Sequence, residues 1–226
     1  MRTYKLLAVV AALGLAFVGS AQAQDADFSP TMTFELSDTK VKANPEMKVH
    51  VEQDSEDEEE LAHVTLMIPK GFNLPADEAI ANGSELGSGE IVIRAGTVCR
   101  PDGSSALPLA VDANLPATLI ETDRSDEQAD RGVHAVWTLD IQGVTKIVLE
   151  VTGSQATGFK LDGDIPSNDN TCPPLVFDLT VNSQSEDGVP ILTNAAKPKA
   201  YKFGGSFTSA ESPTTVTIVQ KIALTK

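Results

Sequence analysis

Apolar and polar positions alternate with a period of two along most of the chain beyond residue 30, the pattern of half-buried β-strands. Met32–Leu36 and Met47–Val51 are the first two such runs. Leu61–Ile68 is more continuously apolar and reads as a strand buried in a sandwich core. Glu90–Ala95, Ala117–Glu121, His134–Ile141, Lys146–Thr152, Leu175–Val181, Tyr201–Phe207 and Thr214–Leu224 complete about ten strands. Pro116 is expected to open its strand, because proline cannot donate to a central ladder. The period-3.6 signature of a normal amphipathic helix does not occur in this part of the chain, although Asp77–Ala81 fits a helical turn or two. Around ten short strands with polar connections predict an all-β, antiparallel β-sandwich.

The same alternation assigns individual side chains. Trp137 shares an apolar face with Ala135, Leu139 and Ile141 and is expected in the core, while His134 falls on the opposite face. His50 lies on the polar phase of its strand and is expected to face solvent, and His63 to sit at the core edge. After Ile68, Pro69 and Gly71 stop the ladder and let Phe72 fold back onto the core. Gln142-Gly143 between two strand patterns reads as a hairpin. Asp54–Glu60 and Asp123–Arg131 read as exposed loops, since crowded charges seek solvent.

The first 23 residues follow a different pattern. Met1–Lys5 is basic, Leu6–Val18 is apolar but short for a bilayer, and Ala21-Gln-Ala23 is a small-x-small cleavage signal. Residues 1–23 are therefore expected to be a signal peptide and 24–226 the exported β-sandwich domain, possibly as two small packed sub-domains. The product is expected in the periplasm or at the cell surface. Export gives the two cysteines their meaning. Cys99 and Cys172 form no CxxC and have no adjacent histidine, so in an oxidising compartment they read as one structural disulfide. Closing a loop of about 70 residues would stabilise the fold by about 4 kcal/mol in the chain-entropy account.

Charge narrows the partners. The formal charge of −15 becomes −17 once Arg2 and Lys5 leave with the signal. Such a surface repels phosphate backbones and anionic lipid, which argues against nucleic acid and membrane insertion. Asp162, Asp164, Asn168, Asp169 and Asn170 place hard oxygen donors in a turn-rich stretch, the ligands calcium prefers, but without EF-hand spacing. Asn82-Gly-Ser84 matches a glycosylation acceptor. Gly-x-Ser-x-Gly and HExxH are missing, and carboxylate pairs decide nothing in so acidic a chain.

Val64-Thr-Leu-Met-Ile-Pro-Lys-Gly-Phe72 and the Tyr201-to-Leu224 hairpin pattern resemble segments of immunoglobulin-like and cohesin-like modules of bacterial secreted and surface proteins. The resemblance covers those two segments and implies architecture alone. Trp137 lies far beyond Cys99, and Asn170 takes the place two before Cys172 where an immunoglobulin domain has tyrosine. The expected function is a non-enzymatic binding or structural module with a protein or glycan partner and no cofactor. A calcium-assisted carbohydrate- or ligand-binding domain is the alternative, and a secreted hydrolase the third reading.

Overall fold

The computed structural model describes residues 28–53, 61–93, 98–99, 107–108, 113–141, 145–165 and 174–226. Residues 1–23, expected to be a signal peptide, the acidic run 54–60 and Gln142-Gly143 lie outside them. The strands are β1 (Thr31–Leu36), β2 (Met47–Glu52), β3 (Leu61–Ile68), β4 (Glu85–Ile93), β5 (Val98–Cys99), β6 (Leu107–Pro108) and β7 (Ala113–Thr122). After a short helix α1 (Asp126–Asp130) follow β8 (Val133–Ile141), β9 (Thr145–Ser154), β10 (Gly158–Asp164), β11 (Pro174–Val181), β12 (Ala200–Ser209) and β13 (Thr215–Ala223).

Among the described residues eleven strands form one continuous sheet in the order β1-β2-β11-β4-β7-β8-β9-β10-β3-β12-β13, while β5 and β6 pair separately. Every ladder in it is antiparallel. The all-β, antiparallel expectation holds. The division into two sheets does not appear: hydrogen bonding runs unbroken from β1 to β13, and the sheet curls until its outer strands meet.

Strand parity dictates how they meet. Directions alternate across eleven strands, so β1 and β13 must run the same way. The bridge between Lys40 and Thr225 is indeed parallel, held by Val41 N–H to Thr225 O at 2.9 Å and Thr225 N–H to Thr39 O at 2.8 Å. Further along, a side chain substitutes for a ladder. The Gln220 carboxamide accepts from Phe34 N–H at 2.6 Å and donates to Phe34 O at 2.9 Å. One amide thus satisfies both backbone groups that Phe34 turns away from β2, as a neighbouring strand would.

The period-two pattern then sorts the residues. Inward positions such as Phe34, Val49, Leu66, Leu119, Trp137, Leu149, Leu161, Leu179 and Phe203 are buried in one core. Phe72 does fold back onto it, packing edge-on against Tyr201 and Phe203 at centroid distances of 5.2 and 5.0 Å. The 182–199 crossover adds Ile191, Leu192 and Ala195 to the core. Outward positions carry Lys48, His50, Glu90, Lys146, Lys160, Asp178 and Lys202.

Four details depart from the periodicity. Pro116 sits inside β7, opposite Glu90; the ladder to β8 begins only at Ala117, so Pro116 lies where the second neighbour is not yet paired. β4 begins at Glu85, five residues ahead of the strand expected at Glu90–Ala95, and runs through Gly87 and Gly89. β10 was hidden by its glycines. Gly158 has φ +94°, and Gly153, on the other strand of the same hairpin, has φ +99° with its would-be Cβ only 2.2 Å from Gly158 O. The charged 123–131 loop contains α1, opened by a Ser125/Gln128 capping box that the sequence displays as Ser-x-x-Gln.

Candidate functional site

Among the described residues, chemistry-bearing side chains gather in three places. Two are on the outer surface and one is sealed inside the barrel end.

The proposed calcium ligands begin on the outer face of β10. Asp162 and Asp164 project from the same side, one residue apart, and meet His63 and Thr65 of the adjacent β3. His63 Nδ1 lies 2.7 Å from Asp164 Oδ1, and its Nε2 lies 3.5 Å from Asp162 Oδ1 and 3.3 Å from Thr65 Oγ1. Thr65 donates to Asp162 Oδ1 at 2.5 Å. The imidazole stands between the carboxylates and uses a different nitrogen for each, so the donors do not converge on one point. Consistently, no group of three or more His, Cys, Asp or Glu side chains among the described residues is arranged to hold a metal ion. Asn168, Asp169 and Asn170 lie outside the described residues. His63 is a half-exposed outer-face residue, where a core-edge position was expected.

His50 repeats this arrangement on β2. Its Nδ1 is 2.7 Å from Asp178 Oδ1 on β11 and its Nε2 is 3.6 Å from Glu52. Burial alone pulls the imidazole's pKa down, but hydrogen bonds and charge from Asp178 and Glu52 outweigh it and hold it above the usual histidine value. The expected solvent-facing position is correct, and the two carboxylate partners are new.

The backbone of Cys99 lies in β5, and Cys172 is outside the described residues. The register nevertheless places their neighbours. Ile93 opposes Pro174 where β4 ends and β11 begins. The pairs Glu52↔Val176, Ala117↔Ile141 and His63↔Asp164 lie near the same end. The strand ends at Glu52 and Leu61, Ile93 and Ala113, Ile141 and Thr145, and Asp164 and Pro174 therefore all lie at one end of the barrel.

The third group is at the opposite end, and periodicity alone did not single it out. Glu121 ends the inward phase Ala117, Leu119, Glu121 of β7 and faces Trp137 across the ladder. It is only 2% exposed and Trp137 is fully buried. Neither Glu121 Oε1 nor the Trp137 indole N–H has a hydrogen-bond partner. Burial pushes the Glu121 carboxyl up to about 8, and the nearby charges of Asp77 and Asp123 reinforce this. The indole pulls weakly the other way. The sequence signal was available: a glutamate continuing an apolar i, i+2 phase is headed for the core.

Over this end lies segment 73–84, which includes a 3-10 turn at Asp77–Ala79. Arg124 ties the turn down. Its Nη2 donates to Glu78 Oε1 at 2.6 Å, its Nη1 to Val133 O at 2.8 Å, and its Nε lies 3.4 Å from Asp77 Oδ2. His134 Nε2 lies 3.2 Å from Leu74 O and its ring packs on Phe159. Gly83 N–H donates to Glu121 O, and Glu121 N–H to Ser84 O, both at 2.9 Å.

No protein-family model matches the chain, and no curated protein sequence matches it.

Proposed function

We propose that this chain is an exported, non-enzymatic binding or structural module that meets a protein or glycan partner through its outer surface. One observation carries the reading: inward side chains fill the barrel with a continuous apolar core, while polar and charged groups line the outside. Recognition is thereby left to the strand faces and to the loops at the two ends. The Thr65–His63–Asp164 contact has a hydroxyl, imidazole and carboxylate in sequence. Its nearby backbone N–H groups, however, belong to the β3–β10 and β3–β12 ladders, away from any developing oxyanion. The test offers the full mature chain to glycan and extracellular-protein arrays, alongside ester, glycoside and peptide reporter substrates. Saturable binding without turnover supports the module. Turnover that disappears in His63→Ala would replace it with the hydrolase reading.

A second reading has its own support. β2 and β10 end at Glu52 and Asp164 at the same end of the barrel, and the residues that follow each in sequence, 54–60 and 166–170, are rich in the hard oxygen donors that calcium takes. Melting with and without millimolar calcium tests it. A rise in Tm that is lost in Asp164→Asn supports calcium, and unchanged melting removes it.

The Ile93↔Pro174 register also supports the Cys99–Cys172 bridge, since it starts both cysteine-bearing segments from adjacent strand ends. Intact-mass measurement of unreduced protein should show no free thiol and an N-terminus at Gln24. Two alkylatable thiols would remove the bridge, and a retained Met1 would remove the signal cleavage.

A further inference from the structure

A buried carboxyl with an unpartnered oxygen is stable in one protonation state only. Glu121 offers no cation to its own charge: the indole N–H of Trp137 is out of hydrogen-bond geometry, and Asp77 and Asp123 are the nearest charges. Arg124 is committed elsewhere, to Asp77, Glu78 and Val133 O. His134 of β8 is turned to Leu74 O and Phe159. A proton on Glu121 therefore leaves this buried carboxyl uncharged. Its loss would put an uncompensated anion beside two others, and hydration is the available relief.

Segment 73–84 is anchored at one end by the paired Asn73–Thr193 backbone bonds and at the other by the 83–84 bonds to residue 121, which continue the β4–β7 ladder. Between those ends it is held over Glu121 by the Arg124 and His134 contacts, by Asn82 on Asp123 and by Leu74 and Ile80 in the core, with no ladder of its own. The ladders of the eleven-stranded sheet take in no residue between Asn73 and Ser84. Separate attachments of cap and sheet allow one to open while the other stays folded.

We propose that segment 73–84 is a lid latched over the Glu121–Trp137 end of the barrel, closed while Glu121 is protonated and released when it ionises. The device reads alkalinity and exposes the inward faces of Glu121 and Trp137. It goes beyond the binding-module reading and does not rest on it.

Trp137 is the only tryptophan in the chain and sits opposite the titrating group, so its emission is a built-in reporter. The experiment follows emission wavelength and acrylamide quenching of the full mature chain from pH 5 to 9.5, with far-UV circular dichroism in parallel. Expected is a red shift with stronger quenching, with a midpoint near the raised carboxyl value of about 8, while the strand signal stays constant. Glu121→Gln, which keeps the shape of the protonated acid, should remain flat. An unchanged wild-type signal, loss of the strand signal in step with fluorescence, or a transition retained in Glu121→Gln would each overturn the lid. If that variant does not fold, amide exchange on the wild type decides. Protection at Gly83 and Glu121, corrected for intrinsic rate, should fall above the midpoint while that of Val49 persists. Equal behaviour at both sites would overturn the proposal.

Discussion

Removing the Gln220 carboxamide should open the seam where the barrel closes. In Gln220→Ala the Phe34 N–H and C=O lose their partners at 2.6 and 2.9 Å. Phe34 is 1% exposed, so its backbone groups are shielded by the surrounding chain. An orphaned buried polar group costs about 1–3 kcal/mol. With two orphaned groups at a partly buried seam, the loss should be about 2–4 kcal/mol. For a chain of this size a loss of 1 kcal/mol lowers Tm by about 2–4 °C, which gives a fall of roughly 4–16 °C. Thermal melting by far-UV circular dichroism reads the total, and hydrogen exchange at the Phe34 amide reads the place. Gln220→Glu keeps an acceptor for the N–H but turns an oxygen toward Phe34 O, so it should not restore stability. Lys221→Ala, one residue on and outward-facing, should melt like the wild type. If Gln220→Ala keeps its Tm within a degree and Phe34 stays protected, the claim that a side chain closes this barrel is wrong.

Three further outcomes follow from the same geometry. Because the Glu121 carboxyl is raised from 4.5 to about 8, the folded state keeps a proton that the unfolded chain has released. Stability is then full below 4.5 and falls as pH rises toward 8, by several kcal/mol at about 1.4 kcal/mol per pH unit of separation. Urea unfolding at pH 5 and 8.5 should show this loss in the wild type and a much smaller one in Glu121→Gln; equal slopes in both would refute it. His50, raised above 6.5, stabilises only while protonated, so its contribution is complete below 6.5 and lost as pH climbs through the folded value. With partners about half exposed, His50→Asn should cost about 0.5 kcal/mol or less at pH 5.5 and nothing at pH 8.5. Gly87→Ala places a Cβ 1.9 Å from Thr180 O, a backbone atom of the paired strand, and should cost about 3 kcal/mol or more. A wild-type melt for that variant would mean β4 and β11 can separate freely.

Much of the fold was legible because strand alternation is a local property. Residues i and i+2 share a face wherever a strand forms, so Trp137, Leu139 and Ile141 declare themselves inward without reference to any partner. The same rule set His50 outward. It failed where a residue's role depends on what stands opposite. Pro116 is tolerated inside β7 because β8 starts its pairing one residue later, and β10 forms because Gly153 and Gly158 turn the chain back beneath it.

The chain by itself determined which residues face inward, where the turns fall and that no long helix interrupts them. Only the tertiary structure decided which strands are neighbours. His50 meets Asp178 across 128 positions and Phe34 meets Gln220 across 186, separations over which a period of two carries no information. An odd strand count, a parallel seam closed by one amide, and a glutamate sealed beside the sole tryptophan are consequences of that pairing. Register between distant segments is set by which inward side chains fit together in the closed barrel, and that fit exists only after the chain has folded.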